Sequence, residues 1–216
     1  MDNEQNKKRF INLAKKVNNK FIALNVDNAL LSGMRTPKIV FTAVQPAPED
    51  ANQKYVSAKY FLNVTDALAV ANAIIRTKVD KEQTLFKGYQ GGNNKRRSGV
   101  EARVLTITAK PVNGKTFYSF VIENTEGVQG TIKNGDGEDV PGVVKPKSGG
   151  KVFAKCSFGA SKNEAMYVAE MIRMEIQAWR TAVNVDMKFY PAKYRYNSNA
   201  VATSNIPAVM SKPLTA

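Results

Sequence analysis

The chain has 216 residues, with 32 Lys+Arg against 18 Asp+Glu and no histidine, giving a formal charge of +14. Without histidine and with one cysteine, Cys156, it lacks the Ser-His-Asp and Cys-His hydrolytic sets, the commonest acid/base at neutral pH and the ligands of a structural zinc site. So large a cation excess favours a polyanionic partner, nucleic acid first, and no run approaches the ~18 apolar residues that span a bilayer.

Residues 1–18 read as a basic arm or short helix, with Phe10, Ile11, Leu13 and Val17 at rough helical spacing. Strand patterns follow at 21–26 and 38–44, the second carrying the β-rich run IVFTAV. Pro46 and Pro48 mark a loop. A third strand at 54–62 places Tyr55, Ser57, Lys59 and Phe61 on one face and Val56, Ala58, Tyr60 and Leu62 on the other. Thr65 is positioned to cap a helix over 67–78, with Leu68, Ala71, Ile74 and Ile75 as its apolar stripe. The segment 87–99, KGYQGGNNKRRSG, is too rich in Gly, Asn and cations to build a core and is expected as an exposed basic loop. It matches neither the Walker spacing nor G-x-G-x-x-G, which argues against an NTPase.

Alternation resumes at 100–110, and Asn113-Gly114 marks a two-residue hairpin into a strand at 116–123. A wide loop is expected next, with a turn at 134–137, and then a strand at 151–158. Asp136, Glu138 and Asp139 lack the spacing of a calcium loop, so no metal or other cofactor is expected. Ser161 and Glu164 form a capping box ahead of the longest helix, whose apolar face is Ala165, Val168, Ile172, Ile176, Trp179 and Val183. Trp179 and Cys156 are expected as packed side chains. Residues 184–216 hold a basic-aromatic segment, MKFYPAKYRY, and a Ser-, Asn-, Ala- and Pro-rich tail expected to be disordered.

Two stretches echo one another. AKYFLNVTDALAVANAII (58–75) and AKCSFGASKNEAMYVAEMI (154–172) each follow a strand, open on Ala-Lys and pass a helix-start signal into an alanine-rich amphipathic helix. One sheet-plus-helix unit used twice makes a two-fold-like scaffold. The expected fold is therefore α+β: two antiparallel sheet-plus-helix repeats, about 19–79 and 100–183, packed in one domain (19–183) with pseudo-two-fold symmetry. An OB-fold barrel with added helices is the alternative.

Aromatic residues interleaved with cations mark the candidate contacts, since a single strand offers phosphates to Lys and Arg and unstacked bases to Tyr and Phe. Four groups qualify. The first is Lys54, Tyr55, Lys59 and Phe61. The second is Lys87 and Tyr89 with Lys95, Arg96 and Arg97, the last three being the expected phosphate contacts. The third is Arg103, Lys115, Phe117 and Tyr118 around the hairpin. The fourth is Lys188, Tyr190, Lys193, Tyr194 and Arg195. Lys59 and Lys155 hold matching places in the repeat and join the set.

The order of strands and helix, repeated once, resembles the Whirly and transcriptional positive-cofactor-four group of single-stranded DNA-binding proteins. The likeness covers most of the chain as topology. The Lys-Gly-Lys-Ala-Ala-Leu motif of plant Whirly proteins is absent, and VSAKYFL and VFAKCSF stand in the comparable region. The chain is also similar in size to small phage-encoded single-strand binding proteins, although its end, AVMSKPLTA, is not acidic. The resemblance implies a non-enzymatic single-stranded DNA-binding protein of low sequence specificity, acting in replication, recombination or strand protection. It implies a homo-oligomer as well. RNA is the nearest variant partner, and a virion or nucleoid assembly protein is the competing class. The lone cysteine and the polar start MDNEQNKKRF place the expected protein inside the cell, in cytoplasm or nucleoid, with no membrane partner.

Overall fold

The computed structural model of the chain describes residues 8–17, 20–30, 37–47, 54–92, 100–133 and 138–189. Strands β1 (Lys8–Val17), β2 (Lys20–Ala29), β3 (Lys38–Pro46) and β4 (Tyr55–Asn63) pair in chain order as a four-stranded antiparallel sheet, and helix α1 (Val64–Arg76) follows. The second sheet holds β5 (Gln83–Gly92), β6 (Glu101–Val112), β7 (Lys115–Lys133), β8 (Asp139–Pro146) and β9 (Val152–Ser161), and helix α2 (Lys162–Phe189) follows. The first part of β7 lies between β6 and β9, while its second part pairs with β8 alone. The second sheet is thus also a four-stranded meander, β5-β6-β7-β9, from which β7 and β8 continue as a hairpin arm. The chain forms two compact units, Met1–Met174 and Glu175–Ala216. The first holds both sheets, α1 and the start of α2. In the second, α2 continues with Ile176 buried and Trp179 and Val183 half-buried.

The core of the first unit comes from one face of each meander. Leu24, Ile39, Phe41 and Leu62 are fully buried in the first sheet, and Leu105, Ile107, Phe120 and Phe158 in the second. Phe41 and Phe120 stack across the sheets, with centroids 6.2 Å apart and planes at 17°. Ala67, Val70, Ala71 and Ile74 form the buried face of α1.

The two meanders pair in the same register. Ile11, Val26, Phe41 and Tyr60 stand opposite one another in the first, and Phe86, Ile107, Phe120 and Phe158 in the second. A bulge falls directly before the first residue of each row, at Phe10 and at Leu85. The last residue of each row precedes the residue before its helix, Asn63 or Ser161, by three positions.

Each sheet also covers part of the other's free edge, where unpaired strand groups need partners. Lys15 Nζ donates to Gly159 O (2.9 Å) and the Ser157 N–H donates to Gln45 Oε1 (3.1 Å), both on β9. On β4, the Phe61 N–H donates to Gln90 Oε1 (3.2 Å).

The six expected strands fall on β2, β3, β4, β6, β7 and β9, those at 54, 100 and 151 beginning one residue early, and the hairpin at Asn113-Gly114 has both residues at positive φ, 50° and 73°. The capping box is present: the Ser161 N–H donates to Glu164 Oε2 (2.7 Å) and Ser161 Oγ accepts from the Glu164 N–H (3.4 Å). Several expectations need correction. The 1–18 arm is strand β1 over its described part, because Ile11, Leu13 and Lys15 turn inward while Asn12, Ala14 and Lys16 stay exposed. Residues 87–92 of the expected loop belong to β5. Most of the wide loop after 123 is the β7–β8 arm, and its expected turn at 134–137 lies outside the described residues. Asn63, not Thr65, caps α1: its Oδ1 accepts the Asp66 N–H at 2.7 Å. Of the expected stripe of α1, Ala71 and Ile74 are buried, while Leu68 and Ile75 are only half-buried and Ala67 and Val70 complete the buried face. The strands pair with chain neighbours in two open sheets, so the OB-fold barrel is set aside. The expected tail beyond 189 lies outside the described residues.

Candidate nucleic-acid interface

The outward face of the first sheet carries the clearest aromatic-cation cluster. Successive outward residues of β4 are Tyr55, Ser57 and Lys59, all exposed. Register brings Lys16 opposite Phe21 and Pro46 opposite Tyr55 at one end of this face. Phe21 (44% exposed) and Tyr55 (39% exposed) stand edge to face with centroids 6.2 Å apart. Lys54 Nζ lies 5.7 Å from the centre of the Tyr55 ring. Ala14, Ala23, Val44 and Ser57 form the next row across the sheet, and Asn12, Asn25, Thr42 and Lys59 the one beyond.

The outward face of the second sheet carries a related pair. Lys87 Nζ sits 5.7 Å from the Tyr89 ring centre. Both line a recess of ≈ 420 Å³ together with Val104, Thr106, Glu123, Lys145 and Pro146. Glu123 pairs with Lys155 at 3.3 Å. Lys115 and Phe117 lie on this face toward the β6–β7 hairpin, exposed but away from the recess.

Other expected contacts are placed differently. Tyr118 is 2% exposed; burial raises its pKa, its hydroxyl donates to Ile74 O at 3.5 Å, and no ring face is open to a base. Arg103 lies on the inward side of β6, pairs with Glu101 at 3.1 Å and packs 5.3 Å from the centre of the Phe61 ring. Arg103 and Phe61 are therefore spent largely on each other. Lys59 and Lys155 do not match: counted back from the residue before each helix, Lys59 corresponds to Ser157 and Lys155 to Ser57. Lys188 is exposed near the end of α2, in the second unit. Lys95, Arg96, Arg97, Tyr190, Lys193, Tyr194 and Arg195 lie outside the described residues.

Sequence reasoning missed Lys16 and Phe21 because β1 was read as an arm, which left β2 without a neighbour on that side. It missed Lys145 and Pro146 because their strand was read as a loop. A period-two signal was present in Asn12, Ala14 and Lys16.

Burial, with a smaller effect of Asp66, pushes Tyr60 up to about 12. Burial pushes the Cys156 thiol to about 11, despite backbone hydrogen bonds from Ala58 and Gln45, and its Sγ lies 3.5 Å from Val56 O. Among the described residues no group of three or more Cys, Asp or Glu could hold a metal ion, and no helix is long and apolar enough to cross a membrane.

Comparison with protein-family models, with curated proteins and with solved structures finds no match for this chain.

Proposed function

We propose that the chain is a non-enzymatic protein that binds single-stranded DNA with little sequence preference, in replication, recombination or strand protection. The observation that carries this reading is the exposed Phe21–Tyr55 pair set between Lys16 and Lys54 on a rigid sheet face. An unstacked base offers a π-face to either ring, and the adjoining phosphates meet the lysines; such stacking is worth roughly 1–3 kcal/mol per base. The neighbouring row of Ala14, Ala23 and Val44 offers few groups to read base edges, which suits low specificity.

The same proposal includes a Whirly-like pseudo-two-fold relation between the meanders. Its support is the shared register, the bulges at Phe10 and Leu85, and the reciprocal edge contacts of Lys15 and Gln90. A homo-oligomer inside the cell belongs to it as well, and single-stranded RNA is the nearest variant ligand. The competing reading is an assembly protein, and it draws on Val128 (49% exposed) and Val143 (54% exposed) on the β7–β8 arm.

Fluorescence anisotropy with labelled oligo-dT, matched RNA and duplex DNA, each at two salt concentrations, tests the proposal. The expected result is a salt-sensitive preference for oligo-dT, with a log–log slope of about −0.7 per engaged cation. Binding to none of the three, together with large assemblies at physiological salt, would favour the assembly reading.

A further inference from the structure

We infer that the recess on the second sheet is a subsite for the sugar-phosphate backbone, separate from the stacking face of the first sheet. The inference rests on the single-strand reading above. It gives the molecule two grips of different chemistry: one that stacks bases between flanking lysines and one for phosphodiesters alone.

The β7–β8 arm builds this site, and the first meander has no counterpart to it. The arm returns along the sheet and sets Lys145 and Pro146 beside Lys87 and Tyr89. Val144, between them and the tip, is 9% exposed and fixes the wall in place. It fits because two neighbours are glycines: a Cβ on Gly127 would lie 2.7 Å from Val144 Cγ1, and one on Gly91 would lie 3.0 Å from Cγ2. The wall is therefore packed against the sheet rather than laid over it.

The charge in the recess is unbalanced. Nearby Lys147 has Glu126 at 4.0 Å and Lys155 has Glu123 at 3.3 Å. Lys87 and Lys145 form no ion pair among the described residues, although both line the same recess. Two unneutralised ammonium groups beside a hydroxyl, Thr106, suit a monoanionic phosphodiester. Tyr89 is the one aromatic ring in the lining and is half-buried, so this recess offers a base less than the exposed Phe21–Tyr55 pair does. Glu123 is the carboxylate in the lining; it opposes an incoming phosphate and holds Lys155 back.

The test uses the full chain and two labelled strands of equal length, oligo-dT and an abasic oligodeoxyribonucleotide that keeps only sugar and phosphate. Lys87→Ala with Lys145→Ala should weaken binding of both strands and make the log–log salt slope less negative by about 1.4, at 0.7 per cation. Phe21→Ala with Tyr55→Ala should weaken oligo-dT and leave the abasic strand unchanged. Glu123→Gln should tighten both strands, a gain that misfolding could not produce. The subsite is overturned if the double lysine variant binds the abasic strand like the wild type with an unchanged slope, or if Glu123→Gln gives no gain. Failure of the wild type to bind either strand would overturn the single-strand reading itself, and the subsite with it.

Discussion

The two meanders share strand order, register and a bulge at the same place, yet they present different outward faces. The first carries no arm and puts Phe21 and Tyr55 at one exposed end of its face, with lysines alongside, while Ala23, Asn25 and Thr42 in its central strands are buried. The second grows an arm from β7 that walls one end of its face and turns it into a recess. The inward faces, by contrast, are alike, down to Phe41 meeting Phe120. The core is thus held to one pattern by packing, while the solvent faces are free to diverge because few core contacts depend on them.

The largest effect expected from breaking this comparison is at the stack. Phe41→Ala and Phe120→Ala each remove a fully buried ring and should each destabilise the fold by about 3–5 kcal/mol in urea unfolding. If the meanders are equivalent halves, the two losses should be close to one another. A large inequality would mean that one sheet carries the core and the other rests on it.

The next effect separates the faces. Phe21→Ala or Tyr55→Ala should lower oligo-dT affinity by about 1–3 kcal/mol for each base unstacked, read by anisotropy at fixed salt. Neither ring is in the core, so thermal stability should change little. Affinity unchanged in both variants would remove the first sheet from the interface.

How much of this was legible in the sequence follows from how local each signal is. The Asn113-Gly114 turn, the Ser161–Glu164 box and the alternation of β4 and β6 are set by neighbouring residues, and they were read directly. The strand β1 was not. Phe10, Ile11, Leu13 and Val17 fit a helical period about as well as a strand, and pairing with β2, a non-local event, decides between them. The arm was hidden for a related reason: Gly127, Gly130 and Gly142 look like loop residues until Val144 is seen to need the space that Gly127 leaves. Of the candidate site, Lys54, Tyr55, Lys87 and Tyr89 were legible as interleaved cations and aromatics. That Tyr118 faces inward while Phe117 faces outward depends on strand phase, which the interleaving alone does not give.

The bracket at the start of α2 gives a smaller, pH-dependent effect. Burial disfavours the Glu164 carboxylate, but hydrogen bonds from Lys15 and Ser161 outweigh it and hold its pKa below the ordinary 4.5. A carboxyl depressed in the folded state adds stability above its unfolded pKa and loses it as pH falls through the folded one. Glu164→Gln keeps an acceptor for the capping box but removes the charge, so it should cost up to about 1 kcal/mol near neutral pH, the scale of a part-exposed ion pair. The difference from wild type should shrink as pH drops below about 4.5. A pH-independent difference in thermal midpoint would mean that the ion pair adds nothing and the effect is packing.

An effect of similar size, confined to one strand, tests the symmetry of the edges. Lys15 ties the β9 edge through Gly159 O and also reaches Glu164 and the Phe158 ring, whereas Gln90 ties the β4 edge through the Phe61 N–H alone. Gln90→Leu removes one neutral hydrogen bond and should cost about 0.5–1.5 kcal/mol, much of it from leaving a half-buried strand N–H without its acceptor. Amide exchange at Phe61 should speed up in that variant while exchange in the interior of β3 stays as it was, because the opening is confined to an edge. Lys15→Met should cost more and should loosen the start of α2 together with β9. If exchange quickens throughout the first sheet in Gln90→Leu, the bracket fixes the whole meander, and the likeness between the two edges goes deeper than their partner lists imply.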